Sequence, residues 1–240
     1  MMPVDVLCIA AHPDDIEMTC AGTVLLLVAQ GRTVAGVDLT RGELGTRGTP
    51  DIRAAEAAEG SRIMKLSARE NMGFRDGFFG NDEAHQLALI AVIRHYQPKI
   101  VLTNAPDDRH PDHGRAAELV NDACFYAGLR QIKTVGKDGQ PQAAHRPGYV
   151  YNFIQDRSLT PDFVVDITPY WDGKIAAIKA YRSQFFDADS PEPQSYISGE
   201  PFLKFLEART REHGHRIGVE FGEGFVARRM LGVSDLFQLM

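Results

Sequence analysis

Apolar residues along this chain gather in short runs that alternate with longer stretches of helical character. Val4 to Ala10 reads as a buried strand, Ala21 to Gln30 as a helix apolar nearly all round, and Thr33 to Leu39 as a second strand. Gly31 suits the end of that helix. Strand, helix and strand in this order predict a parallel, right-handed unit. Thr49, Pro50 and Asp51 carry the marks of a helix start, a capping hydroxyl followed by proline and an acid in the first turn, and that helix is expected to run to about Leu66. A short strand over Ala68 to Met72, a loop over Gly73 to Asn81, a helix from Glu83 to Tyr96 and a strand from Ile100 to Thr103 follow, and then a helix from roughly Arg115 to Ala127.

Beyond it, Gln131 to His145 is polar and reads as a loop or hairpin. Tyr149 to Ile154 and Phe163 to Ile167 read as strands, and Thr168 as the cap of a helix from Pro169 to Tyr181. Asp187 to Gly199 reads as a mobile loop, Phe202 to His213 as a last long helix, and Phe225 to Arg229 as a short final strand or an arm. No repeat and no dividing linker interrupts the alternation. The pattern predicts one α/β domain over residues 1–240, a three-layer sandwich with a mostly parallel central sheet and a C-terminal elaboration.

The net charge of −6 over 240 residues argues against nucleic acid as the main partner, which needs basic surface. No apolar run is long enough to span a bilayer, and the start shows no basic-then-apolar leader. Cys8, Cys20 and Cys124 are odd in number, lack CxxC spacing and lie in apolar surroundings, so they read as reduced, buried thiols of a cytoplasmic protein.

Two polar loops depart from this ordinary picture. AHPDDIE, at 11–17, follows the first strand, and NAPDDRHPDHG follows the strand at 100–103. In an open parallel sheet, loops after strand C-termini meet on one edge, where ligands bind. His12 and Asp15 offer two metal ligands, and either His110 or His113 can supply a third, leaving a position for water. Two histidines and a carboxylate suit zinc, and iron or manganese accept the same donors. Asp14, Asp112 and the remaining histidine are then spare, as a metal hydrolase requires for a base and a proton donor. Glu17 reads as a supporting or helix-starting residue, and His85, His95, His145, His213 and His215 as solvated or satisfied side chains. Arg41, Arg47, Arg53 and Arg109 are candidates for binding an anion. Arg53 stands in the first turn of a helix, against the dipole, which hints at a role beyond the helix.

AHPDDIE, DLTRGELGTRGTPDIRAAEA and PDDRHPDHGRAAELV together resemble the LmbE-like (PIG-L) family of zinc-dependent N-deacetylases. NMGFRDGFF, PDFVVDIT, KAYRSQF and GVEFGEGF extend the likeness toward the branch that deacetylates N-acetylglucosaminyl-malate in bacillithiol biosynthesis. The resemblance implies a Rossmann-like fold, often assembled as a hexamer, and a small amino-sugar substrate; no GxGxxG loop accompanies it, so no dinucleotide is implied. It places the metal ligands on His12, Asp15 and His113, the general base on Asp14, and a protonated electrophile on His110 with Asp112 orienting or charging it. Arg53 and Arg109 fall on substrate-associated positions. Tyr196 falls on a tyrosine that closes over the site and donates to the oxyanion, and Arg146 on an arginine beside the base. Other amino sugars, such as chitooligosaccharides or a mycothiol-type precursor, are the alternative substrates, and a non-catalytic metal- or sugar-binding protein the alternative class.

Overall fold

The computed structural model describes residues 1–185 and 191–238. Five strands form the parallel part of the sheet: β1 (Val6–Ala10), β2 (Val34–Thr40), β3 (Ala68–Phe74), β4 (Ile100–Thr103) and β5 (Tyr149–Phe153). With β6 (Phe163–Asp166) and β7 (Gly222–Ala227) they make a seven-stranded sheet in the order β3-β2-β1-β4-β5-β7-β6. The expected α/β sandwich is therefore present, with one difference at its C-terminal side. The segment expected as a short final strand or an arm over Phe225 to Arg229 is a strand, but it begins at Gly222, ends at Ala227 and lies between β5 and β6, antiparallel to both.

Among the described residues six α-helices flank the sheet: α1 (Asp15–Ala29), α2 (Pro50–Met64), α3 (Glu83–Tyr96), α4 (Pro111–Ala127), α5 (Trp171–Lys179) and α6 (Glu200–Arg216). Alternation along β1 sends Leu7 and Ile9 into one core and Val6, Cys8 and Ala10 into the other. The first core is closed by α3 and α4 through Leu89, Ile93, Leu119 and Val120, the second by α1 through Ile16 and Val24. Each such aliphatic side chain, fully buried, contributes roughly 1.5–3 kcal/mol. A third cluster joins Met18 and Ala57 to Ile178, Tyr181, Phe202 and Leu206, and so packs α6 onto α2 and α5. Cys8, Cys20 and Cys124 are buried free thiols, as their apolar neighbours suggested.

Thr49 caps α2 as expected, its hydroxyl accepting the Ile52 N–H. Thr168 does not cap α5. It opens a 3-10 turn, Thr168–Tyr170, and its hydroxyl accepts the Phe221 N–H instead. Both polar loops are shorter than the sequence pattern suggests, because the helices start inside them. α1 begins at Asp15 rather than at Ala21, and departs from helical geometry at Cys20 (φ −128°, ψ 16°). α4 begins at Pro111 rather than at about Arg115. Of the loop expected over 187–199, residues 187–190 lie outside the described residues. No helix among the described residues is long and apolar enough to cross a membrane.

Candidate metal and catalytic site

β1 and β4 are hydrogen-bonded neighbours, yet the chain leaves β1 toward β2 and leaves β4 toward β5, on opposite sides. This is the point where strand order reverses, and a crevice opens there at the strand C-termini. The two polar loops emerge side by side above it. Asn104, at the end of β4, stitches them together: its Oδ1 accepts the Ala11 N–H at 2.9 Å and its Nδ2 donates to Asp15 Oδ2 at 3.0 Å.

Asp15 is the hub. Gln155 Nε2 lies 2.9 Å and His113 Nε2 3.2 Å from its Oδ1, while His12 Nδ1 lies 3.6 Å from its Oδ2. The opposite nitrogen of each ring is held by carboxylates. His12 Nε2 is 3.1 Å from Asp76 Oδ1 and 3.4 Å from Asp112 Oδ2, and His113 Nδ1 is hydrogen-bonded to Asp108. Burial works against charge on these groups, and the ion pairing overturns it. His12 is held well above the usual histidine pKa by Asp112, Asp15 and Asp76, and His113 is raised to about 9 by Asp15 and Asp108. Asp15 is held well below the usual carboxylate range by His113 and His12.

This donor set fits a divalent metal. Carboxylates on the outer nitrogens fix both imidazoles in orientation and leave His12 Nδ1, His113 Nε2 and the Asp15 carboxylate converging, the arrangement in which outer partners raise ligand basicity. Ring nitrogens of His12, His110 and His113 lie within 4.8 Å of one another. Among the described residues His12, Asp76 and Asp112 form a second such group, made of the outer partners just described.

Asp14 is set apart from Asp15 by its backbone. It takes φ 108° and ψ −25°, a left-handed conformation that costs a non-glycine residue about 1–3 kcal/mol. Arg53 Nη2 donates to Asp14 Oδ2 at 2.8 Å. Burial pushes the Asp14 pKa up to about 7 against the opposing pull of Arg53. Arg53 also donates to the Pro13 and Gly42 carbonyls, so its fork secures the protein's own loops.

His110 is the N-cap of α4. Its Nδ1 accepts the Asp112 N–H at 3.2 Å, so the neutral ring carries its proton on Nε2. Burial, with His12 and His113 nearby, lowers its pKa to about 4. The family resemblance implies a protonated His110, whereas the cap bond and burial favour the neutral ring in this geometry. The Asp112 carboxylate makes no hydrogen bond to His110 and acts on it through its charge, which opposes the fall in pKa. In the first turn of α4 that side chain bonds to Gly77 N–H and Arg115 and faces His12, while the Asp112 backbone N–H bonds to His110.

The cleft above these groups has a volume of about 340 Å³ and is lined in part by Arg47, Arg53, Arg109, Tyr196 and Gln184. Arg109 lies over the Tyr196 ring at 4.1 Å, and both meet Asp156: Arg109 Nε at 3.1 Å and the Tyr196 hydroxyl at 2.9 Å. Arg146 does not line the cleft. It donates to the Phe125 carbonyl and stacks on the Phe125 ring at the far end of α4. Arg41 lines a neighbouring cavity of about 650 Å³ over the alanine-rich face of α2, whose Asp38 and Arg69 are paired with each other. Glu17 lies beneath the site in an ion pair with Arg69 and accepts the Tyr181 hydroxyl at 3.1 Å, a supporting role as expected.

Sequence reasoning missed Asp76, Asn104, Asp108, Gln155 and Asp156. Asp108 stands inside the second polar motif and was open to discovery there. Asn104 opens the same motif, while Asp76 and the neighbours Gln155 and Asp156 stand on separate segments, brought to the site by strand order.

A switch-point crevice with a His/Asp donor set and a spare buried carboxylate defines the molecule as an α/β protein with a hydrolase-type site. The chain belongs to the PIG-L (LmbE-like) family: its residues 7–124 match the family described as GlcNAc-PI de-N-acetylase. Among curated proteins it is 28% identical to the diacetylchitobiose deacetylase of Thermococcus kodakarensis, over 91% of this chain and 83% of that protein. It is also 28% identical to a probable N-acetyl-alpha-D-glucosaminyl L-malate deacetylase 2 of Bacillus cereus, over 75% of this chain and 83% of that protein. Among solved structures it superposes on the conserved protein TT1542 from Thermus thermophilus with a TM-score of 0.84 and 35% identity, over 96% of this chain and 98% of that one.

Proposed function

We propose that this protein is a metal-dependent deacetylase that hydrolyses the N-acetyl group of an N-acetylglucosamine conjugate, with zinc as the metal and N-acetylglucosaminyl-malate as the leading substrate. The observation that carries the reading is the split between the two adjacent aspartates: Asp15 joins the imidazoles, while Asp14 pairs with Arg53 and has its pKa pushed up to about 7 by burial.

His12, Asp15 and His113 would hold the metal, which supplies a Lewis acid that acidifies water and polarises the acetyl carbonyl. Asp14 takes a proton from the attacking water as its oxygen bonds to the carbonyl carbon. His110 donates its Nε2–H to the carbonyl oxygen as negative charge develops there. Asp14 then returns its proton to the departing nitrogen, the C–N bond breaks, and acetate and a free amine leave. A neutral imidazole suits the donor's part, since it stabilises the oxyanion without giving up its proton. Arg109, on the rim with Tyr196, and Arg47, in the wall, are the cations in reach of a carboxylate-bearing aglycone. Arg53 supports Asp14 in this reading, and its substrate role is secondary.

Chitooligosaccharide is the second substrate reading, supported by the likeness to a diacetylchitobiose deacetylase over 91% of this chain. The test is metal analysis of the purified protein together with acetate release from N-acetylglucosaminyl-malate, diacetylchitobiose and free N-acetylglucosamine. Asp14→Asn is expected to keep its metal and to lose at least about a hundredfold in turnover. Near-normal turnover in that variant removes Asp14 from the mechanism, and a preference for diacetylchitobiose removes the malate conjugate.

A further inference from the structure

The break in α1 has a cause that lies two hundred residues away. In an uninterrupted helix the Thr23 N–H and the Thr19 carbonyl bond to each other. Here the Thr23 N–H donates to Glu223 Oε2 at 2.7 Å, and the Thr19 carbonyl accepts from Lys174 Nζ at 3.1 Å. Glu223 and Lys174 are themselves paired at 2.6 Å, with side chains only 3% and 2% exposed. An ion pair has thus entered the helix ladder at Cys20, where the backbone leaves helical geometry.

After the break the helix starts again, with Cys20 in the N-cap position and Ala21, Gly22 and Thr23 as its first residues. An N-cap side chain ordinarily accepts the N–H of the second or third helical residue, and cysteine is a poor acceptor. Glu223 does this from another strand. Its Oε1 accepts the Gly22 N–H at 3.1 Å, and its Oε2 accepts both the Thr23 N–H and the Thr23 hydroxyl, the latter at 2.6 Å. Its negative charge also suits the positive end of the new helix. The segment before the break is one turn, Asp15 to Thr19, and it carries the metal-site carboxylate. Thr19 reaches back along it, its hydroxyl donating to the Asp15 carbonyl. Lys174 and Glu223 therefore fix the end of this turn, and Thr19 passes that restraint to Asp15.

We infer that the buried pair of Lys174 and Glu223 is a positioning device for the metal site: it holds α1 broken at Cys20, so that Asp15 meets His113 and Gln155 rather than following the axis of the helix behind it. The inference rests on the metal reading of His12, Asp15 and His113. Neither residue touches substrate or metal. The pair acts by setting the direction of a single helical turn.

The experiment compares zinc affinity, by chelator competition, in the wild type, Glu223→Gln, Lys174→Met/Glu223→Leu and Leu89→Ala. Leu89 lies in the core on the opposite face of the sheet, so its variant controls for loss of stability alone. Glu223→Gln is expected to lower zinc affinity about tenfold or more, as loss of a ligand-orienting partner does, while Leu89→Ala stays within about twofold of wild type. The double variant removes the pair without stranding a buried charge and is expected to match Glu223→Gln; if it does not fold, Glu223→Gln decides alone. Wild-type affinity in Glu223→Gln, or an equal loss in Leu89→Ala, overturns the proposal. Failure of the wild type to bind zinc counts against the metal reading itself. Amide exchange of residues 15–23 in metal-free protein then tests the clamp by itself: faster exchange in Glu223→Gln than in Leu89→Ala supports it, and equal exchange overturns it.

Discussion

Arg53 Nη2 lies 2.8 Å from Asp14 Oδ2, and the same nitrogen also donates to the Pro13 carbonyl. Both side chains are buried. The arginine set against the dipole of α2 is thus explained by a carboxylate held in a strained backbone conformation. Removing the cation takes away the pull that opposes burial, so Asp14 is expected to be protonated at neutral pH. Arg53→Ala is expected to cost about 1–3 kcal/mol of stability, for the Asp14, Pro13 and Gly42 acceptors left without their donor, and to lower turnover at pH 7. Arg53→Lys is expected to recover only part of the activity, because a single ammonium cannot span Asp14, Pro13 and Gly42 as the planar fork does. Urea unfolding and acetate release check the two effects.

Asp76 and Asp108 hold the outer nitrogens of His12 and His113. Asp108→Asn and Asp76→Asn are each expected to reduce metal affinity about 10- to 100-fold while leaving the fold intact. The Asp108 change is expected to be the larger, since Asp112 still faces His12 when Asp76 is altered. Chelator competition on the two variants gives the comparison.

Tyr196 is tied to Asp156 and stacked on Arg109, so its hydroxyl is engaged at the rim. Tyr196→Phe and Asp156→Ala are therefore expected to act alike, raising KM several-fold with kcat changed by less than about threefold. A large fall in kcat for Tyr196→Phe alone would show instead that the hydroxyl leaves Asp156 and donates to the oxyanion. Steady-state kinetics on both variants separates the two.

Burial, with Arg209 and Arg216 nearby, holds the His213 pKa below its usual 6.5. The facing acids, Glu212 and Glu223, only partly offset this. As pH falls below 6.5 the unfolded chain takes up the proton first, so stability declines on the acid side and is unaffected above it. His213→Gln is expected to flatten the change in urea midpoint between about pH 7 and pH 5 relative to wild type.

Much of this molecule was readable in its sequence where a local pattern carries the information. The helix at 83–96 and the strand at 100–103 have the bounds that their periodicity gave. His12, Asp15 and His113 converge because two polar motifs follow adjacent strands. What escaped was whatever depends on distant partners. Helix α1 begins six residues early, at Asp15 and not Ala21, because Glu223 and Lys174 allow a broken helix where a continuous one would start later. Strand β7, written GEGFVA, is rich in glycine and shows no alternation, yet its place between two strands makes it a full member of the sheet. The cap bond from the Asp112 backbone to His110 escaped for the same reason, since only the start of α4 at Pro111 creates it.

The antiparallel β7 also bears on when this protein can begin to work. Asp15 leaves the ribosome early, while Glu223 follows about two hundred residues later, which at roughly 5–20 residues per second is an interval of about 10–40 s. Until then the gap between β5 and β6 is unfilled and the end of the first turn of α1 lacks the restraint of Glu223. A nascent chain is therefore expected to fix the break in α1, and with it the direction of the turn that carries Asp15, only after β7 has been made.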